Sequence, residues 1–130
     1  MIAPATPKNE SERLASLRSL GLVDTPPEER FDSVTRLATT IFQLPISYSS
    51  LVEESTQFLK SRVGLDFCES SRETSFCGHA ILEIEPLIIP DTLKDERFRT
   101  TRRSQAHLLP ASMPASPCGG RADTISGRFV

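Results

Sequence analysis

The sequence predicts an α+β fold, a mostly antiparallel sheet backed by helices. Three observations predict it. Two N-terminal segments carry apolar residues at helical spacing behind capping signals. Two short runs of β-formers follow, joined by a polar turn. The 130 residues are 38% hydrophobic and 25% charged, the balance of one globular domain.

The elements follow in order. Asn9 and Glu12 form an Asn variant of the capping box, and Leu14, Leu17 and Leu20 recur at a spacing of three, which predicts a helix over 9–20. Gly21 stands where a left-handed C-cap belongs. Thr25, Pro26 and Glu28 read as a T-x-x-E start for a second helix over 26–43. Phe31, Val34, Leu37, Ala38, Ile41 and Phe42 give it one apolar face, and Pro45 ends it. Residues 46–63 read as a β-hairpin, with Glu53 to Thr56 as its turn and Gly64 closing it. Residues 65–74 read as a polar loop, and 75–82 as a short helix capped by Ser75. Leu87 to Ile89, between two prolines, predicts a third strand. Asp91 opens a turn, and Glu96 to Phe98 read as the start of a further helix. Three short strands bury little, so part of the fold is expected to be missing.

Charge divides the chain. Residues 1–99 carry a net −5, whereas 100–130 carry four arginines and one acid, a net +3. Seventeen of those last 31 residues are Ala, Gly, Pro, Ser or Thr, and no helical or strand period runs through them. This predicts an irregular or disordered tail, with a flexible arm over 1–8 at the other end. The overall charge of −2 argues against nucleic acid and anionic membrane surfaces as partners. No apolar run spans a bilayer and no secretory signal opens the chain. Three irregularly spaced cysteines suit a reducing compartment, so a cytoplasmic location is expected.

Three motifs fall in a recognisable order: L-G-L-V-D-T-P-P-E-E-R-F-D, then Q-F-L-K-S-R-V-G-L, then S-F-C-G-H-A-I. From Asn9 to Phe98 the chain resembles roughly the first two-thirds of a GAF domain, the type at the N-terminus of bacterial sensor histidine kinases and diguanylate cyclases. The resemblance implies a six-stranded antiparallel sheet with helices on its faces. It also implies a non-catalytic sensory role, with ligands such as cyclic nucleotides, haem or bilins in some members and a signal relayed to a C-terminal output domain. Residues 9–99 are then the GAF-like part. The family's second half does not follow Arg99. In the neighbouring reading frame, Met113 to Cys118 permits A-G-V-P-L and Ala122 to Val130 permits G-Y-H-I-G-T-L-C, blocks of the family's kind. A one-base deletion near the Arg99 codon is therefore expected, making 100–130 a frameshift product and the chain a truncated fragment.

Candidate chemistry is sparse. Phe58, Val63, Leu65 and Phe76 are expected to line a small-molecule pocket between sheet and covering helices, with Arg72 offering a planar guanidinium to an anion. Cys77 and His79 are the reactive pair, but two residues apart on a helix they point to different faces. Cys68, Cys77 and His79 match no usual zinc spacing. No catalytic residue, metal or cofactor is predicted. A homodimer through helices 9–20 and 26–43 is an expected partner mode. Two alternatives stand beside this reading. One is a stand-alone binding or dimerisation module acting in trans. The other is a cysteine-based redox enzyme similar to free methionine sulfoxide reductases, using Cys68 and Cys77.

Overall fold

A computed structural model of the chain describes residues 2–99. The expected irregular tail over 100–130 lies outside the described residues. The element order is α1 (Glu10–Ser19), α2 (Glu29–Phe42), β1 (Ser47–Val52), β2 (Thr56–Val63), β3 (Glu69–Ser71), a 3₁₀ turn (Arg72–Thr74) and α3 (Phe76–Ala80). The fold is α+β: the strands form one antiparallel sheet in the order β1-β2-β3, and α2 packs on β1 and β2.

Both N-terminal helices form where their apolar periods place them. Gly21 takes φ +62° after α1, the left-handed conformation expected of a residue with no Cβ to clash. Neither capping box is used as drawn. Asn9 makes no side-chain cap bond, although its carbonyl accepts from Arg13 N at 3.0 Å. α2 begins at Glu29, three residues later than predicted. Pro27 accounts for the delay, because a residue before proline is driven out of the helical region, and that residue is Pro26. Thr25 instead donates to Leu22 O at 2.5 Å.

The hairpin holds its predicted place. Ser47 pairs with Val63 and Val52 with Gln57, with a bulge between Ser49 and Ser50. Glu53 N bonds Thr56 O at 2.8 Å across the turn. The loop over 65–74 is more ordered than its polar composition suggests. Glu69–Ser71 adds β3 on the outer edge of β2, and Leu59 N donates to Cys68 O at 2.6 Å. Ser75 caps α3 as expected, accepting from Gly78 N at 2.9 Å.

Three expectations are corrected. No strand forms at Leu87 to Ile89; the segment runs as coil with Ile88 exposed, since no described strand lies beside it to supply a ladder. No helix begins at Glu96. Asp95 instead closes a turn, its carbonyl accepting from Phe98 N and Arg99 N and its side chain from Arg97 N. The turn drives Phe98 into full burial against Phe76 and His79, with ring centroids 4.9 Å away in each case. The N-terminal arm, expected to be flexible, is tied at its start. Ile2 N donates to Arg97 O at 3.0 Å, and Ile2 O lies 2.9 Å from His79 Nε2.

The core is small: Leu14, Val52, Phe58, Leu59, Cys68 and Phe98 are its buried apolar residues. α2 contributes none of them. Its one buried residue is Thr35, whose hydroxyl meets Ser61 Oγ at 2.6 Å, while Ser61 donates to Asp32 Oδ1 at 2.7 Å. The helix is seated on the sheet through hydroxyls and a carboxylate. Of its predicted apolar face, Val34, Leu37, Ile41 and Phe42 are exposed, while Phe31 and Ala38 are half-buried.

Candidate functional site

The β1–β2 turn organises both a polar network and the candidate cavity. Turn carbonyls lie at the end of a sheet and need donors. Arginines supply them. Arg13 donates to Val52 O at 2.6 Å, and Arg72 to Glu53 O at 3.3 Å and Glu54 O at 3.2 Å. Both guanidiniums converge on one carboxylate. Glu10 accepts two bonds from Arg13, at 2.7 and 2.8 Å, and one from Arg72. Arg13's bonds, reinforced by Arg72 against the opposing effect of burial, pull the Glu10 carboxyl down to about 2. Arg72 is buried, and its Nη2 has no hydrogen-bond partner among the described residues.

Beside this network lies a cavity of about 360 Å³, within the range of small-ligand sites. Phe58 gives it an apolar wall. Asp24, Glu53, Glu54 and Glu69 bring four carboxylates to it, against one guanidinium, Arg18. Arg18 is paired with Glu53 at 2.9 Å. The wall is therefore electronegative, and it disfavours an anion.

The sequence-predicted pocket residues do not gather in one place. Phe58 lines the cavity. Val63 ends β2 opposite Ser47, and Leu65 follows Gly64 half-buried on the next turn. Phe76 and His79 belong to the cluster around Phe98. Cys77, a free thiol, faces the sheet, 3.1 Å from Ser50 Oγ and 3.6 Å from Tyr48 Oη. Arg72, read as an anion binder, is engaged by Glu10 and the turn carbonyls. The acidic wall was missed because its members are scattered from Asp24 to Glu69. The one legible sign was Glu53-Glu54, which read as ordinary turn polarity.

A second buried cation has an equally structural placement. Lys60 Nζ donates to Thr25 Oγ1 at 2.5 Å and Pro26 O at 2.7 Å, and pairs with Glu28 at 2.6 Å. Lys60 thereby lowers the Glu28 carboxyl below its usual range. It ties β2 to the α1–α2 connection. Among the described residues, no group of three or more His, Cys, Asp or Glu is placed to hold a metal ion. No helix among them is long and apolar enough to cross a membrane.

No protein-family model matches the chain. The chain is 34% identical over 99 residues to the cyclic di-GMP phosphodiesterase PA2567 of Pseudomonas aeruginosa. The matched stretch is 76% of this chain and 17% of that relative. The relative is named as an enzyme. The expectation of a non-catalytic protein, drawn from the resemblance to a sensory module, is corrected by that finding. A chain spanning so small a share of its relative need not display the whole protein's catalytic residues.

Proposed function

We propose that this chain is a GAF-type regulatory module of an enzyme of cyclic di-GMP turnover. The observation that carries the reading is the 34% identity to a cyclic di-GMP phosphodiesterase. The three GAF-like motifs support the domain type, and helices packed beside an antiparallel sheet are the architecture such a module requires. Residues 9–99 are the module, and 100–130 are the product of a shifted frame.

The working principle is a shift of populations. A ligand held better by one arrangement of the module biases the remainder of the enzyme toward it. The cavity beside the β1–β2 turn is the candidate ligand site. Its four carboxylates favour a cationic or hydrogen-bond-donating small molecule over a nucleotide phosphate. The ends of β1 and β2 and the Arg13–Glu10–Arg72 network meet there, so occupancy would be felt by α1 and the sheet together.

Two experiments test the reading. The gene is resequenced from the Arg99 codon onward and every frame translated. A frame continuing into a cyclic di-GMP hydrolase is expected; its absence overturns the assignment. In the longer protein, Glu53→Gln and Phe58→Ala are then compared with the parent for cyclic di-GMP hydrolysis. A changed rate is expected. An unchanged rate in both, and on removal of residues 2–99, refutes a regulatory role.

A further inference from the structure

We propose that residues 2–7 are a releasable strap, rooted at the start of α1 and latched across α3 onto the turn at 95–99. The root is Pro7, whose carbonyl accepts from Glu10 N at 3.2 Å. The latch is Ile2, which uses both of its backbone groups. Ile2 N donates to Arg97 O at 3.0 Å, and Ile2 O accepts from His79 Nε2 at 2.9 Å. A carbonyl only accepts, so His79 carries a proton on Nε2. Between root and latch, Pro4 crosses α3 at Gly78, where a Cβ would stand 2.8 Å from Pro4 Cγ. The seat is thus shaped for this arm: a residue without a side chain where the proline passes, a buried imidazole on one carbonyl, and an acceptor for one amide.

The strap is held by backbone rather than by buried side chains. Ile2 is 57% exposed, and Ala3, Ala5 and Thr6 are exposed as well. Lifting it therefore uncovers little apolar surface and breaks few bonds, an opening far below global unfolding in free energy. Re-seating is favoured because Pro4 and Pro7 already have φ fixed. What the latch holds is the turn carrying Phe98, whose ring is fully buried against Phe76 and His79. The turn's own hydrogen bonds are local, from Asp95 to Arg97, Phe98 and Arg99. Ile2 ties it to a distant part of the chain. Release frees His79 from Ile2 and loosens the turn, and the chain runs on from that turn beyond residue 99. Latched and released states thus hold the exit of the chain firmly or loosely. The root adjoins Glu10, which binds Arg72 under the β1–β2 turn, so movement there reaches the strap. This device stands on its own geometry and does not need the cavity to bind a ligand.

Amide hydrogen exchange read by NMR on the full 130-residue chain is the test. Ile2 N should exchange about tenfold or more faster than Leu59 N, which is bonded to Cys68 O in the sheet and reports global unfolding. Deleting residues 2–5 should speed exchange at Phe98 N and Arg99 N about fivefold or more, with Leu59 N unchanged within about twofold. His79→Phe keeps a ring against Phe98 but removes the donor to Ile2 O, and should speed exchange at Ile2 N by a similar factor. A peptide of residues 2–8 in millimolar excess should restore slow exchange at Phe98 N in the deleted chain, and should not when His79→Phe is added. Ile2 N as slow as Leu59 N, or Leu59 N accelerated as much as Phe98 N by the deletion, would make the arm part of the cooperative fold and overturn the proposal. Unchanged exchange at Phe98 N and Arg99 N, or a peptide without effect, overturns it equally. None of these outcomes bears on whether the longer protein hydrolyses cyclic di-GMP.

Discussion

Glu10→Gln should be among the most damaging single substitutions on the surface of α1. The amide keeps the shape of the side chain but removes the charge that two arginines share. Arg13 is 19% exposed at its side chain and retains a good acceptor, Val52 O at 2.6 Å. Arg72 is 7% exposed at its side chain and, among the described residues, retains Glu53 O and Glu54 O at 3.3 and 3.2 Å. Its Nη2 is already unpartnered. Removing one member of a buried pair costs about 3–5 kcal/mol, because the other charge stays desolvated. The surviving carbonyl bonds reduce this, and about 2–4 kcal/mol is expected. For a domain of this size that lowers the melting temperature by roughly 10–20 °C. Urea unfolding followed by circular dichroism reads it directly. The double variant Glu10→Gln/Arg72→Met should recover part of the loss, with a coupling of about 1–3 kcal/mol. The pH dependence has a definite sign. The folded-state pKa of Glu10 is depressed from 4.5 to about 2. Its contribution is therefore complete above pH 4.5 and lost as pH falls toward 2. The gap between parent and Glu10→Gln must narrow through that window. A gap below about 0.5 kcal/mol at neutral pH, the range of an ordinary surface change, or one that does not move with pH, refutes the argument.

Three further predictions rest on single contacts. In Gly78→Ala the new Cβ would stand 2.8 Å from Pro4 Cγ and 2.9 Å from Arg72 O. A loss of about 1–3 kcal/mol is expected, with faster hydrogen exchange at Ile2 N; unchanged exchange there would show that the arm is not pressed on α3. Lys60→Met removes the ammonium that joins Thr25 Oγ1, Pro26 O and Glu28 to β2 and should cost about 1–3 kcal/mol, raising protease cleavage in 22–28; equal cleavage would count against it. Thr35→Val deletes the hydroxyl contact to Ser61 at a cost of about 1 kcal/mol; a stabilised variant would mean that α2 sits on the sheet by apolar packing after all.

Local order was legible because it depends on neighbours in sequence. α1, the hairpin, the Gly21 turn and the Ser75 cap each follow from spacing or from one residue's backbone chemistry. The late start of α2 was legible too, in Pro26-Pro27, but the T-x-x-E reading outweighed it. The strand at Leu87 to Ile89 and the helix at Glu96 were misread, since a short apolar run becomes a strand only beside another strand, and Asp95 spends its bonds on a turn. The apolar period of α2 correctly marked a helix, yet the sequence could not say which way that face would look. Tertiary structure decided this, by bonding Thr35 and Asp32 to Ser61 from 26 and 29 residues away. It also decided the fate of Arg72, whose partner Glu10 lies 62 residues off. Periodicity encodes the shape of an element. The partner of each face depends on contacts between distant residues, where satisfying a buried hydroxyl or guanidinium outweighs the preference of an apolar stripe to be covered.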